Sequence, residues 1–177
     1  MIVVHHLNNS RSQRILWLLE ELGLPYEIKR YQRDPQTMLA PPELLQVHPL
    51  GKSPVITDGD LVVAESGAIV EYLVDTYGQQ AGLRPAPGTP GRLRYNYWLH
   101  FAEGTAMTPL LMKLVFTRMK AAPMPFFARP IARGIADKVM RVMVEPNLRR
   151  QTAYIESELA GGAWFLGAGF SAADIQM

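Results

Sequence analysis

A stretch rich in proline and glycine divides this chain into two differently patterned parts. Residues 78–91 contain three prolines and four glycines and show no apolar periodicity. Short strand and helix patterns alternate before this stretch, whereas the pattern after it is helical throughout. With 177 residues, the chain is long enough for one domain or two small ones. We therefore expect one domain over residues 1–78, a linker over 79–91 and a helical domain over 92–177.

Charge and cysteine content narrow the classes of protein. Residues 1–80 carry 6 basic and 10 acidic side chains, and residues 81–177 carry 12 and 6, which again indicates two unlike units. The total of +2 gives no reason to expect nucleic acid as a partner. Because the chain has no cysteine, disulfides, thiolate metal sites and a protein thiol nucleophile are excluded. The apolar runs are too short for a signal peptide or a membrane span, so we expect a cytoplasmic protein with no membrane partner.

The first part predicts a small mixed sheet with helices on its faces. Apolar patterning favours strands over residues 2–7 and 26–31, with a helix around Ile15–Leu22 between them. A short helix should run from Pro41 to Val47. The pair Asp58-Gly59 separates strand-like residues 53–57 and 61–64, as in a hairpin. A further helix is predicted from Ser66 to Tyr77.

The second part predicts long helices. One should cover about 92–119, and another about 131–159 with a bend at Pro146, where a backbone donor is lost. Ser171 and Asp174 have the spacing of a capping box, which indicates a helix start only a few residues before the end of the sequence. We therefore expect the helical domain to be incomplete.

The motifs of the chain together resemble those of a known family. They are HHLNNSRSQRILWLLEELGLPYE at 5–27, HPLGKSPV at 48–55, ES at 65–66 and FSAAD at 170–174. In this order they resemble a bacterial cytosolic glutathione transferase. The resemblance implies an α/β thioredoxin-like N-terminal domain, an all-α C-terminal domain and a homodimer. It also implies glutathione as co-substrate, with no other cofactor.

The resemblance assigns the catalytic role to the loop after the first strand. A glutathione thiol has a pKa near ~8.5, so an enzyme must stabilise the thiolate at neutral pH. Ser10 stands before the first helix, where its hydroxyl and the positive helix end would both favour the anion. Asn9 is the second candidate donor. Alternatively, Ser10 or Ser12 only caps the helix, and Arg14 is taken as structural.

Other residues match the positions that bind the tripeptide in this family. The bond before Pro54 is expected to be cis, so that Ser53 pairs with the cysteinyl backbone of glutathione. Lys52 is a candidate for the glycyl carboxylate, or else a solvated side chain. Ser66 and the exposed N–H groups of its helix suit the γ-glutamyl carboxylate, and Glu65 suits the ammonium. A simple helix cap would explain Ser66 but not the neighbouring acid.

Two predictions concern the helical part. Glu103 is the one acid of the predicted helix 92–119, and the resemblance implies that it approaches glutathione bound to the other subunit. An intrahelical or solvated glutamate is the alternative. Met107, Met112 and Phe116 are candidate walls for an electrophile, or else core residues. His5 and His6 are adjacent strand residues that face opposite sides, so no metal site is predicted.

The function that follows is a glutathione transferase for small hydrophobic electrophiles, with a role in detoxification. Similar enzymes also reduce organic hydroperoxides. The competing class is a non-catalytic protein of the same fold that binds a partner. A glutaredoxin-like thiol transferase is excluded because the chain has no cysteine.

Overall fold

The computed structural model describes residues 1–167 and 169–177 as a mixed sheet followed by helices. The strands are β1 (Ile2–Leu7), β2 (Tyr26–Tyr31), β3 (Val55–Asp58) and β4 (Leu61–Ala64). The helices are α1 (Ser12–Glu21), α2 (Glu43–Val47), α3 (Ser66–Tyr77), α4 (Pro90–His100), α5 (Met107–Ala121), α6 (Arg129–Val139), α7 (Glu145–Leu159) and α8 (Ala172–Gln176), with π-helical segments over Phe101–Ala106 and Met140–Val144.

The four strands form one sheet in the order β2-β1-β3-β4. β1 and β2 are parallel because α1 carries the chain back across the sheet, whereas β3 is antiparallel to both of its neighbours. Gly59 makes the hairpin turn between β3 and β4 with a φ of +58°. β3 begins at Val55 rather than Ser53, since Pro54 has no N–H to give to a ladder. The predicted thioredoxin-like sheet is confirmed.

The helical part differs in detail from the sequence prediction. A π segment interrupts each of the two predicted long helices. The second π segment ends at Val144, two residues before Pro146, where the sequence predicted a bend. α4 begins at Pro90, inside the predicted linker, because the Thr89 side chain accepts the Arg92 N–H at 3.2 Å and proline suits the first turn. The expected helical C-terminal domain is confirmed, whereas its exact boundaries stay a prediction.

A single core joins the sheet to the helices that cover one of its faces. Ile15 and Leu19 of α1, Leu73 of α3 and Trp98 of α4 are all fully buried in it, together with Ile2, Val4, Ile56, Ile69, Val70, Tyr95, Ala172, Ala173 and Ile175. Leu83, in the Pro/Gly-rich stretch, is also buried, and its C=O accepts the N–H of Ala172 at 2.9 Å. This stretch is therefore held against α8.

A capping box fixes the position of α8, as the sequence predicted. The N–H and the hydroxyl of Ser171 both donate to Oδ2 of Asp174 at 2.8 Å. The other carboxylate oxygen accepts the N–H of Phe165 at 2.8 Å. α8 packs against α1, α3 and α4. Among the described residues, the helices are too short or too polar to cross a membrane.

Candidate active site

A groove of about 470 Å³ brings together the candidate residues of both units. The eight residues predicted to activate or bind glutathione all line it: Asn9, Ser10, Lys52, Ser53, Pro54, Glu65, Ser66 and Glu103. The N-terminal ends of α1 and α3 both border this groove. Since helix N-termini present free N–H groups and partial positive charge, the groove has two places that favour an anion.

Ser10 takes part in a network of hydroxyls at the start of α1. Its Oγ lies 2.7 Å from Oγ of Ser12 and 3.2 Å from Oγ of Ser53. It also accepts the N–H of Ser12 at 3.3 Å, so the predicted capping role coexists with a place in the groove. Asn9 lines the same groove, is exposed and has a φ of +53°, which asparagine tolerates better than most residues.

The segment before β3 forms the floor beside these hydroxyls. The Ser53–Pro54 bond is cis, as expected from the resemblance. The Ser53 hydroxyl donates to the C=O of His5 at 2.8 Å and accepts the N–H of Leu7 at 3.3 Å. These bonds hold it against β1. Lys52 is exposed at the rim of the groove.

Glu65 and Ser66 stand at the N-terminus of α3. Glu65 has a φ of +72°, a conformation that costs a residue other than glycine about 1–3 kcal/mol. It turns the chain so that Ser66 begins α3 inside the groove. The Ser66 hydroxyl is buried, accepts a hydrogen bond from Nε2 of Gln176 at 2.9 Å and donates to Oε1 of Glu103 at 3.4 Å.

Glu103 lies in the first π segment and is paired within its own chain. Its Oε1 accepts a hydrogen bond from Nη1 of Arg14 at 2.7 Å, and its Oε2 forms an ion pair with Arg11. Burial and the neighbouring Arg11 lower the pKa of Arg14 to about 10, which leaves the guanidinium charged at neutral pH. The structural role predicted for Arg14 agrees with this geometry, whereas the role of Glu103 across a subunit interface stays a prediction.

The wall of the groove that comes from α5 is apolar. Met107 and Leu111 line it together with Thr108, whereas Met112 and Phe116 lie outside its lining. Sequence reasoning missed Leu111, although its spacing of four from Met107 puts both on one helix face. The prediction of Met112 and Phe116 as walls is wrong for this groove because the helix turns those positions away from it.

Two arginines of the groove were also missed. Arg11 directly follows Ser10 in the loop, and Arg33 is held by Asn8, whose Oδ1 accepts the Arg33 N–H at 2.7 Å. Nη1 of Arg33 donates to the C=O of Met38 at 3.0 Å, which fixes the guanidinium beside the groove. Residues 32–40 show no apolar periodicity, so the sequence did not predict the position of Arg33.

A metal site needs several His, Cys, Asp or Glu side chains close together. Within residues 1–167 and 169–177, no three His, Cys, Asp or Glu side chains are grouped for that purpose. His5 and His6 point to opposite sides of β1: Nδ1 of His5 lies 2.9 Å from the Tyr31 hydroxyl, and Nδ1 of His6 lies 2.8 Å from Oγ of Ser12. Burial, assisted by Lys29, lowers the pKa of His5.

Comparisons with known proteins agree with this fold. Residues 1–75 match the family described as glutathione S-transferase, N-terminal domain. Glutathione S-transferase 3 of Schizosaccharomyces pombe is 39% identical over 178 residues, an alignment that covers 100% of this chain and 72% of the relative. Glutathione S-transferase 1 of Saccharomyces cerevisiae is 35% identical over 184 residues, an alignment that covers 100% of this chain and 78% of the relative. A crystal structure of a glutathione S-transferase from Actinobacillus pleuropneumoniae superposes with a TM-score of 0.77 at 35% identity, over 99% of this chain and 74% of that one.

These matches define the class of protein: an enzyme with a thioredoxin-like N-terminal domain followed by a helical domain. The chain belongs to the glutathione S-transferase family. Its relatives include fungal and bacterial proteins alike, so the predicted bacterial affinity stays a prediction.

Proposed function

We propose that this protein activates the thiol of glutathione and transfers it to small hydrophobic electrophiles. The observation that carries the proposal is the position of Ser10. Its hydroxyl lies at the start of α1 in a groove that also contains Glu65, Ser66 and an apolar wall. One end of the groove suits a thiolate, another suits an amino acid head group, and α5 supplies a surface for an apolar second substrate.

Charge complementarity supports one orientation of the tripeptide. The γ-glutamyl carboxylate would lie at the N-terminus of α3 beside Ser66, and its ammonium would lie on Glu65. Ser53 would pair with the cysteinyl backbone. Lys52 or Arg33 would neutralise the glycyl carboxylate at the other end. In this orientation the cysteinyl sulfur is directed toward Ser10 and Asn9.

The chemistry requires a thiolate at neutral pH. A hydrogen bond from Ser10 stabilises the anion more than the neutral thiol, and the α1 N-terminus adds to this effect. The thiolate then attacks an electrophilic carbon, forms the thioether bond and expels the leaving group. With an organic hydroperoxide the same thiolate would attack the peroxide oxygen, and a second glutathione would complete reduction to the alcohol, water and glutathione disulfide. We extend the proposal to this activity.

The proposal makes this enzyme a serine-type transferase, with Ser10 as the donor to sulfur and Asn9 as the second candidate. Ser10→Ala should raise the pKa of the bound thiol and lower kcat, with little change in the affinity for glutathione. The thiolate absorbance in the ultraviolet and steady-state kinetics with an activated aryl halide measure both. Ser157→Ala removes an exposed hydroxyl of α7 and is the matched control.

The competing function is a non-catalytic binding module of the same fold. It predicts that wild-type protein shows no thiolate absorbance and no turnover, whether or not a glutathione resin retains it. If Ser10→Ala leaves activity unchanged while Asn9→Ala abolishes it, the donor is Asn9.

We further propose that the protein is a cytoplasmic homodimer with a role in detoxification. Analytical ultracentrifugation would measure its oligomeric state.

A further inference from the structure

A continuous chain of hydrogen bonds connects the groove to a histidine that has no part in the proposed mechanism so far. Oγ of Ser10 lies 2.7 Å from Oγ of Ser12, and Oγ of Ser12 lies 2.8 Å from Nδ1 of His6. Ser10 lines the groove, Ser12 is fully buried, and His6 is half-buried on β1. This series of hydrogen bonds thus runs from the groove to His6 through the Ser12 hydroxyl, which is buried away from water.

The hydrogen bonds around this chain restrict the directions of its protons. The Ser53 hydroxyl already donates to the C=O of His5, so it does not donate its proton to Ser10. When Nδ1 of His6 is unprotonated, it accepts from Ser12, and Ser12 in turn accepts from Ser10. A lone pair of Ser10 then faces the groove. When Nδ1 carries a proton, both hydroxyls reverse, and the Ser10 proton is released from Ser12 to point to a ligand in the groove or to Oγ of Ser53 at 3.2 Å.

We propose that His6 receives the proton of the glutathione thiol through Ser12 and Ser10. This inference rests on the proposed function of the groove. The thiol gives its proton to Oγ of Ser10, the Ser10 proton moves to Oγ of Ser12, and the Ser12 proton moves to Nδ1 of His6. The products are a thiolate and an imidazolium, so protons and charge balance without any further reactant. His6 then returns its proton to solvent.

The transfer leaves the site in the arrangement that the thiolate needs. After the three proton movements, the Ser10 hydroxyl donates to sulfur, which is the hydrogen bond that stabilises the anion. A hydroxyl without a relay can make this bond only if the thiol proton leaves by another path. His6 is therefore a positioning residue that sets the direction of the Ser10 hydroxyl, and it does not itself touch the substrate.

The surroundings of His6 separate it from its neighbour in sequence. His5 faces the other side of the sheet, where its Nδ1 pairs with Tyr31 and its pKa is lowered by burial. The strand register pairs His6 with Arg30 on β2, and Ser12 is the side chain of α1 in contact with it. On the β3 side the pairing begins at Val55, opposite His5, so no β3 residue is paired with His6, and the charged Asp58 of that strand is paired with Ile2 at the other end of β1. Arg30 is thus the charged group at the paired position.

The test uses two variants. One keeps the hydrogen bond to Ser12 but not the proton transfer, and the other removes the Ser12 hydroxyl. In His6→Gln, the amide can still bond to Ser12 but does not take up a proton. In Ser12→Ala, the series of hydrogen bonds is interrupted because its central hydroxyl is removed. We expect each to lower kcat at neutral pH about tenfold or more, below the roughly 100- to 10,000-fold of a direct general base, because water partly replaces the relay. The double variant should be no slower than either single one.

Two further measurements exclude a merely structural effect. The pH at which half of the bound glutathione is thiolate should rise in both variants. The affinity for S-methylglutathione, which has no thiol proton, should stay at the wild-type value. Ser157→Ala, the exposed hydroxyl of α7 that serves as control for Ser10→Ala, is the control here too and should match wild type.

The outcomes separate this inference from the proposed function. If Ser10→Ala impairs the enzyme while His6→Gln keeps the wild-type kcat and thiolate titration, the relay is wrong and the function stands. Loss of S-methylglutathione affinity in both relay variants also overturns the relay, since the effect is then structural. If wild-type protein forms no thiolate with glutathione, both proposals fail.

Discussion

The guanidinium of Arg14 on α1 donates a 2.7 Å hydrogen bond from Nη1 to Oε1 of Glu103 in the first π segment. The same oxygen lies 3.4 Å from Oγ of Ser66 and 3.5 Å from Nε2 of Gln176. One carboxylate therefore links α1, α3 and α8 to the first π segment. Because Ser66 begins α3 inside the groove, a change at Glu103 acts on both stability and the binding site.

Removing the charge of Glu103 should destabilise the fold. Glu103→Gln leaves Arg11 and Arg14 as neighbouring, partly buried cations without a counter-ion. After allowance for their partial exposure, we expect a loss of about 1–2 kcal/mol in the free energy of unfolding. Denaturant unfolding at neutral pH measures it. Glu156→Gln, at an exposed glutamate of α7, is the control, and an equal effect of both substitutions would contradict the prediction.

A mixed dimer can decide whether Glu103 also serves the other subunit. One protomer would carry Ser10→Ala and its partner would carry Glu103→Gln. If Glu103 acts across the interface, the second protomer keeps its own Ser10, receives Glu103 from the first, and retains the activity of one normal site. If Glu103 acts within its own chain, neither site is intact. An active mixed dimer is the result we expect from the predicted role of Glu103, and an inactive one would contradict that role.

The capping box of α8 should support both stability and glutathione binding. Asp174→Ala removes the acceptors for Ser171 and for the N–H of Phe165. We expect a loss of about 1–3 kcal/mol in the free energy of unfolding. Since α8 also carries Gln176 to Ser66, the affinity for glutathione should fall as well. Asp174→Asn, which keeps an acceptor, should lose less by both measurements, and equal losses would rule out the cap as the cause.

The carboxylate of Asp58 should contribute stability that depends on pH. Hydrogen bonds from Tyr77 and Tyr72 lower the pKa of Asp58, the one from Tyr77 the most. A lowered pKa means that the contribution is present above the ordinary value of about 3.9 and is lost as pH falls through the folded-state value. Asp58→Asn should therefore be less stable than wild type by about 1 kcal/mol at pH 7, and the difference should shrink in acid. Unfolding curves across this range measure it, with the exposed Asp60→Asn as control.

The apolar wall of the groove should affect the second substrate alone. Leu111→Ala removes contact area from the electrophile, so the KM for an aryl substrate should rise about three- to tenfold. The KM for glutathione should not change. Leu114→Ala, one turn away, exposed and outside the groove lining, is the control. A rise in the KM for glutathione with Leu111→Ala would show that the wall has another role.

Local chemistry along the chain was sufficient to predict most of the elements. A short β-branched apolar run located β1, and apolar alternation located β2. Asp58-Gly59 located the hairpin, and the Ser171/Asp174 spacing located the start of α8. These features depend on neighbours within a few residues, so a single sequence carries them. The π segments were not predicted, because a widened helical turn depends on what packs against it and leaves no periodic pattern.

The sequence by itself determined which residue types the site would contain, through motifs at Ser10, Ser53 and Ser66 that match a family pattern. The tertiary structure alone decided which residues contact one another: Arg11 and Arg14 pair with Glu103, Gln176 bonds to Ser66, and His6 bonds to Ser12. Partners such as Ser66 and Gln176 are 110 residues apart in the chain. Such contacts follow from the burial of the shared core, which brings distant segments together, and no local spacing encodes them.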